Sequence, residues 1–162
     1  GNAIASDNVR LTIAVPFLRD ARMRDRLRME IARRCPALAV ELQDEVDPYA
    51  LFQCHDAFAF PYRSQHSVFV PTSLLEAMSI GIPVVAADHA MYRDLTVAKA
   101  GGRCGLYRVG DPLDLARTLR TMRQDYDVAV ERARIVSGGV RKEWTIEHAV
   151  DELLAAINPT AR

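Results

Sequence analysis

The sequence carries neither GxGxxG nor GxxxxGK[ST], so a dinucleotide fingerprint and a P-loop are both excluded. No apolar run approaches the roughly 18–20 residues of a membrane-spanning helix. No basic, apolar, small-residue leader reads as a signal peptide, and a first segment of Gly1-Asn2-Ala3 without Met reads as a processed or engineered end. Cysteine is scarce: Cys35, Cys54 and Cys104 are scattered and form no CxxC. They read as buried or incidental thiols of a reducing compartment rather than a metal or redox site, which points to the cytoplasm. Neither charge is in surplus, since 21 Lys plus Arg balance 21 Asp plus Glu. That neutrality argues against nucleic acid as the main partner. Repeats, low-complexity stretches and a linker between domains are absent as well. At 162 residues, 49% hydrophobic and 26% charged, the composition is that of one globular domain.

What is present is an alternation. Short, nearly continuous apolar runs occupy residues 9–16, 38–42, 57–61, 82–88 and 105–109, a pattern that predicts strands buried on both faces. Helical spacing fills the intervals. Met23, Leu27 and Ile31 recur every four residues among arginines, and Cys35-Pro36 stops that helix. Asp111-Pro112 predicts a capped helix over 112–124 with Leu115, Leu119 and Met122 on one face. Thr145 opens a last helix striped by Ile146, Val150, Leu153, Leu154 and Ile157. Such alternation builds a mostly parallel α/β sheet flanked by helices, Rossmann-like, over residues 9–157, with 1–8 a disordered or tag-derived end and 158–162 a tail.

Sheets of this kind bind ligands beyond the carboxyl ends of their strands. The loop over residues 62–71 lies at such an end and leads directly into a helix start at Thr72-Ser73. Ser73-Leu74-Leu75-Glu76 has capping-box spacing, in which Ser73 bonds a first-turn amide and Glu76 reaches back to the cap amide. Gly81, before Ile82-Pro83, closes the helix. Position adds a second reading. A helix start in the ligand crevice presents unpaired N–H groups to phosphate, while a carboxylate one turn inside can accept hydrogen bonds from two adjacent ribose hydroxyls.

Two stretches, DAFAFPY at 56–62 and LLEAMSIGIPVVA at 74–86, are followed in order by GLYRVGDP at 105–112 and Glu143-Trp144-Thr145. Together they resemble the C-terminal, donor-binding domain of retaining glycosyltransferases of the GT-B fold, family 4, over roughly residues 9–157. The resemblance implies a nucleoside-diphosphate-sugar donor, no metal and no other cofactor. The acceptor, a glycan, lipid-linked or small-molecule hydroxyl, would be held by a missing N-terminal domain. It also implies a cytoplasmic enzyme of polysaccharide biosynthesis, with peripheral attachment of the parent to the inner face of the membrane an open alternative. Glu76 matches the second Glu of the family's Glu-x7-Glu motif and would bind ribose, with Thr72, Ser73 and Leu74 as contacts to sugar and diphosphate.

Two departures stand out. Val68 occupies the place of the first Glu, leaving Ser64, Gln65 or His66 as replacements. Residues 9–16 match the family's second strand, so the opening strand-helix unit with its Arg and Lys is missing, and in the family that strand is central, beside residues 57–61. Arg63, Arg93 or Lys99 would then supply positive charge to phosphate, and residues 43–47 would select the base. The fragment alone is expected to bind weakly and to turn over little or nothing.

Other signals point away from chemistry. Asp125-Tyr126-Asp127 imitates an Asp-x-Asp metal motif but follows the 112–124 helix, which places it at the far end of the sheet. The arginines between Arg19 and Arg34 are interleaved with Asp20, Asp25 and Glu30, as on a solvated, ion-paired helix face. His89 reads equally as a loop residue or a ligand contact, and His55 and His148 fall in helical patterns. Two rival readings are a non-catalytic module keeping the fold for nucleotide-sugar binding or assembly, and a phosphoacceptor receiver domain. The receiver needs an Asp at the end of its third strand, where Phe60-Pro61 stands.

Overall fold

A computed structural model describes residues 9–62, 71–90, 93 and 103–157. By internal contacts the chain divides into two compact units, Gly1–Leu51 and Phe52–Arg162. Among the described residues five strands form two sheets, one of two strands and one of three, parallel throughout.

In the first unit, β1 (Arg10–Ala14) pairs with β2 (Ala39–Gln43), Leu11 opposite Val40 and Ile13 opposite Leu42. A 3-10 turn (Pro16–Arg19) and helix α1 (Ala21–Arg34) make the crossover. Asp20 caps α1, accepting from the amides of Arg22 at 2.9 Å and Met23 at 3.3 Å. The arginine-rich face behaves as the interleaved charges predict. Glu30 bonds Arg33 at 2.8 Å and also Arg34. Arg24 lies 3.8 Å from Asp44 and Arg19 lies 3.7 Å from Glu45. Hydrogen bonds from Arg33 and then Arg34 hold the exposed Glu30 carboxyl down to about 2.

Helix α2 (Pro48–Gln53) leads into the second unit, where β3 (Phe58–Phe60), β4 (Val84–Ala87) and β5 (Gly105–Tyr107) lie in that order. Helix α3 (Thr72–Ile80) precedes β4; α4 (Pro112–Gln124), α5 (Tyr126–Glu143) and α6 (Ile146–Ile157) follow β5. The core gathers Phe52, Leu74, Ala77, Met78, Ile82, Val84, Ala86, Val136 and Val140 on one side of the sheet. Val85, Ala87 and Tyr107 face Leu115, Leu119 and Met122 of α4 on the other. Because β4 alternates between these two clusters, all four of its residues are buried.

Three expectations need correction. Burial on both faces holds for β4 alone: β1 is exposed at Arg10 and Leu11, β2 at Ala39 and Glu41, and β3 is half-buried throughout. A two-stranded sheet has no central strand, and β3 has a described neighbour on one side only. The stripe of α6 is not core. Ile146, Val150, Leu153, Leu154 and Ile157 are all exposed, although Thr145 caps the helix as expected, its hydroxyl accepting from the His148 amide at 3.1 Å. Periodicity reports an apolar face and not what covers it. His55 lies beyond the end of α2, on the approach to β3, while His148 is in α6.

The thiols separate by environment. Burial pushes Cys104 up to about 12, whereas Cys54 is exposed. At pH 8 a disulfide reagent such as Ellman's is expected to titrate Cys54 at least tenfold faster than Cys104, with urea abolishing the difference. The sign for stability follows. An unfolded thiol ionises near 9.0 while the folded one stays protonated, so stability falls as pH climbs from 9.0 toward about 12.

Candidate functional site

Chain direction locates the site. Gly81 ends α3 in the left-handed region at φ 85°, and two residues later β4 begins at Val84. The carboxyl end of α3 therefore sits by the start of β4, and its nine residues, about 13 Å at 1.5 Å each, run back toward the carboxyl edge of the sheet. There the amino end of α3 opens.

Pro71, not Ser73, is the cap. Its carbonyl accepts from the amides of Leu74 at 3.0 Å and Leu75 at 3.2 Å, and no described side chain caps the helix. The capping box expected from Ser73 and Glu76 is not formed, because Ser73 is the second helical residue and Glu76 the fifth, one full turn inside. Proline brings no N–H of its own, so the open amides are those of Thr72 and Ser73, which have no acceptor among the described residues.

The helix sorts its side chains by period. Leu74, Ala77 and Met78 turn into the core, Leu74 with no exposed surface at all. The expectation that Leu74 contacts a ligand is corrected accordingly: its side chain fills the core and its amide is spent on Pro71. Thr72, Ser73 and Glu76, at i, i+1 and i+4, share the other face, with Thr72 exposed and the other two half-buried. The Glu76 carboxylate has no hydrogen-bond or ion-pair partner among the described residues. With the capping role removed, that leaves an acceptor group beside two open amides.

Around the same edge stand groups whose roles the sequence leaves open. Tyr62, following β3, stacks on Phe60 with ring centroids 5.6 Å apart and planes at 13°, and is 44% exposed. His89, following β4, is buried, and its Nε2 lies 3.0 Å from the Tyr62 carbonyl. A carbonyl only accepts, so the proton sits on Nε2 and the ring pins the exit of β3 to the exit of β4. Asp88 accepts from Arg93 at 2.9 Å, so the positive charge of Arg93 is engaged by a carboxylate of its own chain. An aromatic residue at one strand exit and a histidine at the next are the sequence signals of this contact; their pairing is not written there.

Arg63, Ser64, Gln65, His66, Val68 and Lys99 lie outside the described residues. Asp111 is structural. It caps α4, accepting from the amides of Leu113 and Asp114 at 3.0 Å each, and the Asp114 amide foremost holds its carboxyl below the usual range. Asp125 lies with Pro83, Val84, Cys104 and Gly105, at the strand starts, as expected for the far end of the sheet. Among the described residues no three His, Cys, Asp or Glu gather as metal ligands, and no helix is long and apolar enough to cross a membrane.

The chain resembles solved structures of proteins more than twice its length. HepE (Alr3699) of Anabaena, crystallised with UDP and glucose and also with UDP-glucose, is similar at a TM-score of 0.72 and 20% identity, covering 96% of this chain and 43% of that one. TarM is similar at a TM-score of 0.71 and 16% identity, covering 96% of this chain and 30% of that one. These likenesses bear out the α/β architecture of parallel sheets and flanking helices as that of the GT-B glycosyltransferases. No curated protein matches the chain. The family model described as glycosyl transferases group 1 matches residues 3–125, most of its length. The chain belongs to the group 1 glycosyl transferase family.

Proposed function

We propose that the chain, over residues 9–157, is the C-terminal, donor-binding domain of a family 4 glycosyltransferase that moves a sugar from a nucleoside diphosphate to a hydroxyl acceptor. The observation that carries this reading is the start of α3, which no described side chain caps. Two open amides, of Thr72 and Ser73, stand beside a carboxylate, Glu76, that no described side chain engages. A helix start carries roughly half a positive charge. The diphosphate would meet that charge and the two amides, which stay in place as negative charge develops on the leaving group. Glu76, one turn deeper, would accept hydrogen bonds from the two ribose hydroxyls and fix the nucleoside without moving a proton. Tyr62 offers an exposed ring at the neighbouring strand exit. The UDP and glucose bound by HepE support a donor of this chemical class. Arg63, Ser64 and His66 would complete the phosphate and sugar contacts from the loop preceding α3. The acceptor would be bound by a separate N-terminal domain, so the chain alone would bind donor without turnover. No metal or other cofactor enters this scheme.

Isothermal titration of UDP, GDP and ADP into the chain tests the reading. One nucleotide should bind in preference to the others, and Glu76→Ala should weaken it at least tenfold, the scale of a charged hydrogen bond to two hydroxyls. Unchanged affinity in that variant would remove Glu76 from the site.

A further inference from the structure

The opposite edge of the three-stranded sheet holds a concavity that the donor reading does not use. Val84 and Gly105, the first residues of β4 and β5, form its floor with Ile82 and Cys104, and α4 and α5 form its walls, giving a volume of about 490 Å³. That is within the roughly 300–1,000 Å³ of small-molecule pockets. The wall made by α5 is tied in place. The Tyr126 hydroxyl donates to the Asp56 carbonyl at 3.0 Å and the Ser137 hydroxyl to the Ser79 carbonyl at 2.6 Å.

Its lining is basic: Arg103, Arg117 and Arg132 contribute to it, with Asp125 as its single acid. Arg117 pairs with Asp114 at 3.0 Å, while Arg103 and Arg132 have no carboxylate in ion-pair range among the described residues. An accessible apolar lining of Met122, Val128 and Ala129, together with two guanidinium groups that no described carboxylate pairs, selects against both simple alternatives. A free inorganic anion gains nothing from Met122 and Val128, and a neutral hydrocarbon gains nothing from the arginines.

We propose that this cleft binds a long-chain fatty carboxylate, its acyl chain against Met122, Val128 and Ala129 and its carboxylate on Arg103 and Arg132. The ligand would lie at the end of the sheet remote from the amino end of α3.

Titration of the chain with cis-parinaric acid, read by the fluorescence of the fatty acid, tests the proposal. The expected result is saturable binding of one equivalent, weakened at least tenfold in the Arg103→Glu, Arg132→Glu double variant. It should also be weakened at least tenfold when the methyl ester replaces the acid. Ala129→Trp should abolish binding by filling the cleft from α5. Thr121→Trp, at an exposed α4 position lining the same cleft, does so with less risk to the core, and each variant is checked for an unchanged thermal midpoint. Absence of saturable binding, equal affinity for acid and ester, or insensitivity to all three variants would overturn the proposal. Insensitivity would mark the binding as partition onto the general surface.

Discussion

Leu74→Ala is expected to lower the unfolding free energy of the Phe52–Arg162 unit by about 3 kcal/mol, within the range for deleting a fully buried leucine. Leu74 has no exposed surface and packs in the cluster that contains Phe52, Met78, Ile82, Val84 and Val136. The size of the effect reflects what holds α3 in place. A nine-residue helix is too short to be stable by itself, so its position comes from this packing. The same side chain fixes the direction in which Thr72, Ser73 and Glu76 face. Thr72→Ala, at an exposed position, is expected to change stability by less than about 0.5 kcal/mol. Urea denaturation followed by tryptophan fluorescence measures both. The only tryptophan, Trp144, ends α5 in the same unit. A Leu74→Ala loss below about 1 kcal/mol would mean that α3 is held by something other than this cluster.

Two glycine-to-alanine substitutions in the same unit are expected to act with opposite signs, about 2 kcal/mol apart. Gly81 sits at φ 85°, where a Cβ would be 3.5 Å from the Ser137 Cβ, an ordinary contact. Space is therefore available and the penalty is conformational, about 1–2 kcal/mol for a left-handed residue with a side chain. Gly138, inside α5, carries no such constraint: the place an added methyl group would take is open, with nothing within 4 Å. Alanine there should stabilise by about 1 kcal/mol through helix propensity. The same urea titration checks both signs. Gly81→Ala leaving the midpoint unmoved would show that the left-handed turn is not what closes α3.

Most of the element plan is legible in the sequence because it depends on local chemistry. The helix expected over residues 112–124 is found at Pro112–Gln124, because Asp111 caps it and Pro112 starts it. Each of the five apolar runs corresponds to a strand: β1, β3 and β4 are trimmed at both ends, β5 at its far end, and β2 extends one residue past its run. Gly81 closes α3 in the conformation that glycine adopts most easily. Expectation and structure part where the outcome depends on distant groups. Ser73 and Glu76 have the spacing of a capping box, yet the cap falls two residues earlier, on the carbonyl of Pro71, and the box has no place. Leu74 neighbours Ser73 along the chain, but the period of the helix turns it to the opposite side.

Sequence alone determined the five strand segments and the helices α1, α3, α4 and α6, though not α2 or α5, that the strands run parallel, and that a carboxylate follows a helix start at the ligand edge. These follow from side-chain pattern, capping and the handedness of crossovers, all of which act over a few residues. Tertiary structure alone decided that Glu76 is left without a capping role, that His89 ties the exits of two strands through the Tyr62 carbonyl, and that the apolar stripe of α6 is exposed. The physical reason is common to all three: burial and pairing are properties of whichever group arrives opposite, and a periodic pattern records only that one side of an element is apolar.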